Sequence, residues 1–361
     1  MSQFLISCGG TGGHLSPGIA LAEALTQQGH SVILLISKKK VDSKLSEKYP
    51  QLTFQAIPGT GFTWKPLGFL RCVFTQTQAL LMCLKLVRQF KPKAVIGFGG
   101  FTSAAIILAA RRSAIRVCLH ESNQVPGLAM RTLGRLAQRI YLPAGVKLPQ
   151  IKSSIIVHVG MPVRREIKLL DRQSSRACFG LSADRLVIGV LGGSQGALAL
   201  NTWARTQVKL LGEHGIQMLC VTGLGKGSDE IIEITAQDGG TLRSLFIPFC
   251  DKMPEFLNAC DLVVSRAGAG SIAELIHCQV PSILIPYPQA ADNHQAKNAE
   301  VFEKQGGCVV FKQQQLTELD WTFLSTFISQ NNLAQIKDKL KVLSEDNPLE
   351  VIIKDLVISS S

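Results

Sequence analysis

At 361 residues, 46% hydrophobic and 18% charged, the chain suits two soluble globular domains rather than one. Its best apolar stretch, Leu67 to Val87, is interrupted by Arg71, Lys85 and the polar run Thr75 to Gln78, and the N-terminus lacks a basic start and a long apolar core, so neither a spanning helix nor a signal peptide is expected. The net charge of +12 is concentrated in residues 61–150, where thirteen Lys and Arg face one acid, Glu121; this points to an anionic surface, and an aromatic content of 6% with no interleaved stacking pattern favours lipid over nucleic acid.

Short apolar runs alternate with longer amphipathic ones, the pattern of βαβ units and parallel sheets. Phe4–Cys8 is the first strand, followed by a glycine loop and a helix from Pro17 to Gln28 that Gly29 closes. Ser31–Ile36 is the second strand, residues 67–90 form a long helix, and Val95–Phe98 and Arg116–His120 are further strands. The pattern restarts after Gly160–Asp171: Arg185–Leu191 is a strand, then Gly192-Gly193-Ser194-Gln195-Gly196, then a helix from Ala197. Strands at 217–222, 245–248, 262–265, 282–286 and 308–311 complete a second sheet, and the tail from Thr317 is helical with Ser359–Ser361 frayed. The reading is α/β, two Rossmann-like domains in tandem over residues 1–162 and 163–361, with the tail helix packing back on the first. Ten scattered cysteines without a Cys-x-x-Cys pair read as buried reduced thiols in a reducing compartment.

In such sheets ligands bind beyond the carboxyl ends of the strands. Gly9-Gly10-Thr11-Gly12-Gly13-His14 follows the first strand; its glycines permit close backbone approach, and His14 at the loop tip is a candidate general base. Gly97 to Ser103 is a second loop, and His120-Glu121-Ser122-Asn123 a third, where Glu121 is either a second catalytic candidate or a carboxylate paired with a nearby arginine. Arg164 lies at the domain join. Ser265 to Ser271 leads into a helix whose free N–H groups suit a phosphate; Glu274 is expected in its first turn, capping Ser271 or binding a ribose. Asp292 to Asn298, including Gln295, suits sugar hydroxyls. No Asp-x-Asp, zinc-type His/Cys spacing or Gly-x-Ser-x-Gly elbow occurs, so neither metal nor cofactor is expected.

Taken in order, Gly-Gly-Thr-Gly-Gly-His, Gly-x-Gly-Gly, His-Glu-x-Asn, Gly-x-Pro-Val-Arg, Gly-Gly-Ser-Gln-Gly-Ala, Arg-x-Gly-Ala-x-Ser-x-x-Glu and Asp-x-x-Gln-x-x-Asn resemble the MurG family of UDP-N-acetylglucosamine transferases, which convert lipid I to lipid II in peptidoglycan synthesis. The match runs from residue 4 to about 311; Phe101 departs from it where Tyr is frequent. The resemblance implies a GT-B fold and an inverting, metal-independent transfer at the cytoplasmic face of the cell membrane, with the enzyme held peripherally. It implies donor contacts at Thr11, Gly12, Gly13, Asn123, Arg164, Ser194, Cys250, Gln295 and the segment Ala269, Gly270, Ser271, Ile272, Ala273 and Glu274. Cys250 would read uracil through its backbone, Glu274 would take the ribose hydroxyls, and Arg164 and Ser194 would lie by the pyrophosphate or ribose. Implied partners are UDP-GlcNAc, lipid I, an anionic membrane and proteins of cell-wall synthesis or division. Another GT-B glycolipid transferase, a UDP-sugar epimerase, a Rossmann oxidoreductase and an idle nucleotide-sugar binder remain as alternatives.

Overall fold

The computed structural model describes residues 1–10, 12–38, 46–60, 66–193 and 196–358. Among the residues singled out above, Thr11, Ser194, Gln195 and Ser359–Ser361 lie outside the described residues, as do Phe62, Trp64 and Lys65 of the basic region. The chain divides into two compact units, Met1–Arg165 together with the segment from Asn347, and Glu166–Asp346.

The first unit is built on β1 (Gln3–Ser7), β2 (Ser31–Ile36), β3 (Thr53–Ala56), β4 (Ala94–Gly97), β5 (Arg116–His120), β6 (Arg139–Leu142) and β7 (Ile156–His158). They pair in parallel in the order β3-β2-β1-β4-β5-β6-β7. Side chains alternate across a strand, and both faces are covered, so Phe4, Leu5 and Ile6 at the centre of β1 are all apolar. Phe4 and Ile6 enter a core shared with Leu15 and Ile19 of the helix Gly12–Gln27 and with Ile352 of the helix Pro348–Ile358. Leu5 enters the opposite core, with Ala79 and Cys83 of the helix Pro66–Phe90 and Ile106 of the helix Thr102–Arg112.

Two expectations are corrected in this unit. The first helix begins at Gly12, so Pro17 lies inside it rather than in its first turn, and Gly13 and His14 become helical residues. Length and composition alone would let the 21 residues Leu70–Phe90 cross a membrane, yet one side of this helix packs into the core. Its burial is one-sided: Ala79, Cys83 and Val87 are in the core, whereas Arg71, Lys85 and Arg88 are exposed. The basic excess of residues 61–150 is also partly spent inside the fold. Asp355 accepts from Arg116 Nη2 at 3.2 Å, from Arg139 Nε at 2.9 Å and Nη2 at 3.0 Å, and from the Tyr141 hydroxyl at 2.6 Å.

The second unit holds β8 (Leu186–Leu191), β9 (Ile216–Val221), β10 (Glu230–Thr235), β11 (Thr241–Ile247), β12 (Leu262–Ser265), β13 (Ser282–Leu284) and β14 (Cys308–Val310), in the order β10-β11-β9-β8-β12-β13-β14. All pairings are parallel except β10 with β11, an antiparallel edge hairpin. None of the ten cysteines forms a disulfide, and all but Cys178 are buried; burial pushes the Cys83, Cys118, Cys220 and Cys278 thiols up to about 12.

Candidate active site

In the first unit the strand order reverses between β1 and β4, the place where doubly wound sheets open a crevice. The two glycine loops meet there. Gly99 and Gly100 have φ of 97° and 74°, the left-handed region that favours glycine. A Cβ on Gly99 would stand 3.2 Å from His14 Nε2, and one on Gly100 would stand 3.2 Å from His14 Nδ1 and 2.8 Å from the Gly9 carbonyl oxygen. The half-buried His14 ring therefore rests on the second loop, in a seat that exists because two side chains are missing. Hydroxyls tie the floor together: Thr102 donates to the Gly9 carbonyl at 3.1 Å, Ser7 donates to Thr102 at 3.2 Å, and Ser103 donates to the Gly99 carbonyl at 2.6 Å. Thr102 and Ser103 belong to the second loop expected from the sequence, whereas Ser7 carries no site signal there beyond a hydroxyl at the carboxyl end of the first strand.

Directly after the neighbouring β5, Glu121 is buried. Its Oε1 accepts from the Ser122 N–H, the Asn123 N–H and Asn123 Nδ2, each at 3.0 Å, and its Oε2 accepts from the Gly127 N–H at 2.8 Å. The carboxylate thus orders the turn that carries Asn123. His120 is buried between Phe98 and Tyr141, with ring centroids 5.0 and 6.5 Å away, and its Nε2–H donates to the Gly160 carbonyl at 3.2 Å. Burial pulls its pKa down to about 4, so the ring is neutral. Arg164 donates to the Tyr49 hydroxyl at 3.1 Å.

In the second unit the reversal falls between β8 and β12. Gly196 has φ of 65°, and a Cβ there would lie 2.0 Å from the Thr222 carbonyl oxygen, so the turn after β8 requires glycine at this position. The helix after β12 runs Ala269–His277, with Gly268 as its cap and no side-chain capping bond. Glu274 is therefore in the second turn, which corrects the expected first-turn capping box: the helix begins two residues before Ser271. Ala269, Gly270, Ser271, Ile272, Ala273 and Glu274 are all half-exposed, an open rim on an apolar helix. Buried Asn298 donates to the Ala267 carbonyl at 3.2 Å and supports this entry from below. Gln295 accepts from the Tyr287 N–H at 3.0 Å, and Cys250 is buried just beyond β11.

Arg266 is the arginine that opens the Arg-x-Gly-Ala motif. It is buried and donates to the carbonyls of Ile285 at 3.0 Å and Pro286 at 3.3 Å and to Gln313 Oε1 at 2.6 Å, with its guanidinium 5.4 Å from the Tyr287 ring centre. It pins the ends of β12 and β13 side by side. Among the described residues, no group of three or more His, Cys, Asp or Glu could hold a metal ion.

Two family models match, the Glycosyltransferase family 28 N-terminal domain over residues 4–142 and its C-terminal domain over residues 187–347. An Opitutus terrae protein named UDP-N-acetylglucosamine--N-acetylmuramyl-(pentapeptide) pyrophosphoryl-undecaprenol N-acetylglucosamine transferase is 50% identical over 99% of this chain and 94% of its own. The chain belongs to the MurG family. The Acinetobacter baumannii MurG crystal structure superposes with a TM-score of 0.72 at 23% identity, covering 100% of both chains, so the fold is GT-B. A Listeria monocytogenes protein described as a UDP-N-acetylglucosamine 2-epimerase also superposes, with a TM-score of 0.66 at 13% identity over 100% of this chain and 98% of that one. Fold alone therefore does not distinguish transfer from epimerisation, and MurG membership rests on sequence.

Proposed function

We propose that this chain transfers N-acetylglucosamine from UDP-GlcNAc to the 4-hydroxyl of MurNAc-pentapeptide-pyrophosphoryl-undecaprenol, with inversion and without a metal. The bond from the anomeric carbon to the UDP oxygen breaks as the bond to the acceptor oxygen forms. His14 accepts the hydroxyl proton, and UDP leaves as the anion. The observation that carries the reading is the seating of His14 on Gly99 and Gly100, which fixes an imidazole at the mouth of the acceptor-side crevice. Glu121 acts by holding Asn123 rather than by moving a proton. On the donor side, the N–H groups opening the helix at Ala269 suit the charge that grows on the diphosphate. Glu274 takes the ribose, and Gln295 takes the sugar.

The acceptor's polyprenyl chain requires a membrane-facing surface, and the helix Pro66–Phe90 supplies it. Leu67, Leu70, Phe74 and Leu81 are 84%, 64%, 64% and 63% exposed and fall on one side of the helix, beside the exposed cations Arg71, Lys85 and Arg88. Such a surface lies in the interface of an anionic leaflet rather than across it, because the opposite side of the helix is core. The direct test is His14→Ala. It lowers kcat by about 10²–10⁴-fold with the donor KM nearly unchanged. An unaltered kcat removes the imidazole from the chemistry.

A further inference from the structure

The helix Pro66–Phe90 faces two ways. Helical periodicity puts Leu67, Leu70, Phe74 and Leu81 on one side and Cys72, Gln76, Ala79 and Cys83 on the other. On that inner side the helix packs into the core and also holds polar backbone of two loops. Gln76 Nε2 donates to the Phe101 carbonyl at 3.2 Å, Cys72 donates to the Thr60 carbonyl at 3.5 Å, and the Thr60 and Thr75 hydroxyls are 3.2 Å apart.

Phe101 sits at a mechanical junction. It caps the helix Thr102–Arg112 and directly follows Gly100. Its ring fills space left by two glycines: a Cβ on Gly10 would stand 3.3 Å from Cε1, and one on Gly59 would stand 2.9 Å from Cδ2. The Phe101 peptide therefore sets both the first glycine loop, through the ring, and the Gly99-Gly100 seat of His14, through the chain. Gln76 is the side chain that fixes that peptide from the membrane-facing helix.

We infer that Gln76 is a positioning residue for transfer: through Phe101 it holds the Gly99-Gly100 seat in register with His14, so that the helix carrying the exposed apolar stripe also sets the placement of the base. This inference rests on the proposed role of His14. The hydrogen bond is neutral and partly exposed, and its loss shifts the seat rather than destroying it, so the expected effect is modest and specific.

The test is a double-mutant cycle with Gln76→Met, which keeps length and removes the donor, and His14→Ala. Gln76→Met alone lowers kcat by about three- to tenfold, with the donor KM, the unfolding midpoint and binding to anionic vesicles as in the wild type. In the His14→Ala background Gln76→Met adds no further loss, because the group it positions is gone. An unchanged kcat in Gln76→Met overturns the inference, and so does a loss that multiplies fully with His14→Ala or that tracks a lowered midpoint. Failure of the base itself is read separately: His14→Ala alone then keeps the wild-type kcat.

Discussion

Replacing Glu121 separates a loop-holding carboxylate from a catalytic one. In Glu121→Gln one side-chain oxygen remains to accept from Ser122 and Asn123, but an NH₂ stands where Oε2 accepted from the Gly127 N–H at 2.8 Å. Two donors then face each other in a buried turn, and the unsatisfied amide costs about 1–3 kcal/mol. At about 2–4 °C per kcal/mol for a unit of this size, the unfolding midpoint of the first unit falls by several degrees. Glu121→Ala strips all four acceptor contacts and lowers the midpoint further. The transfer rate falls only as far as Asn123 is displaced, less than the about 10²–10⁴-fold expected for loss of a general base. The assay is calorimetric unfolding of each variant beside kcat measured well below the midpoint. A Glu121→Gln protein with the wild-type midpoint and a kcat lowered by three orders of magnitude would refute the reasoning and make Glu121 the base.

Glu274→Ala raises the donor KM more than it lowers kcat, because ribose contacts are present in ground and transition states alike; steady-state kinetics with an unaltered donor KM would contradict the assignment. His120 gives a pH dependence. Its folded pKa of about 4 lies below the unfolded value of 6.5, so the unfolded chain binds the proton first and stability present above pH 6.5 is lost as pH falls toward 4, by on the order of 3 kcal/mol. Urea titrations across that window show the slope in the wild type and a shallower one in His120→Gln; equal slopes would show that another group carries it. Asp355→Asn leaves the paired Arg116 and Arg139, whose side chains are 17% and 24% exposed, without their anion and costs about 1–3 kcal/mol in the first unit, whereas a wild-type midpoint would make the clasp inert. Replacing Arg71, Lys85 and Arg88 by Gln weakens flotation with anionic vesicles and leaves UDP binding intact; equal, salt-insensitive binding to neutral vesicles would contradict the electrostatic part.

Much of the fold was legible because buried parallel strands announce themselves. Phe4–Cys8 and Arg185–Leu191 are apolar runs ending in double glycines, and both became central strands. The strands that escaped notice lie toward the sheet margins. β3 and β7 are only partly buried, β6 is four residues long, and β10 alternates half-buried and exposed side chains on an edge where one face meets solvent. Helix starts were misplaced where the expected signal was a residue type. Pro17 suggested a first turn and Ser271 a cap, yet the glycines at 12 and 268 marked the actual entries. The loops around His14 could be named but not joined, since Gly99 and His14 are far apart in sequence and meet only because β1 and β4 are neighbours. The Asp355 clasp was beyond reach for the same reason: its partners lie 214 to 239 residues away.

The central claim is transfer of one sugar onto a lipid-linked acceptor without a metal. The purified chain is incubated with UDP-GlcNAc and polyprenyl-pyrophosphoryl-MurNAc-pentapeptide in EDTA, and the lipid fraction and the nucleotide are followed by mass spectrometry. The account predicts UDP release matched by the gain of one N-acetylhexosamine on the acceptor, β-linked to its 4-hydroxyl. Epimerised or hydrolysed sugar with an unmodified acceptor, or transfer that EDTA abolishes, would contradict it.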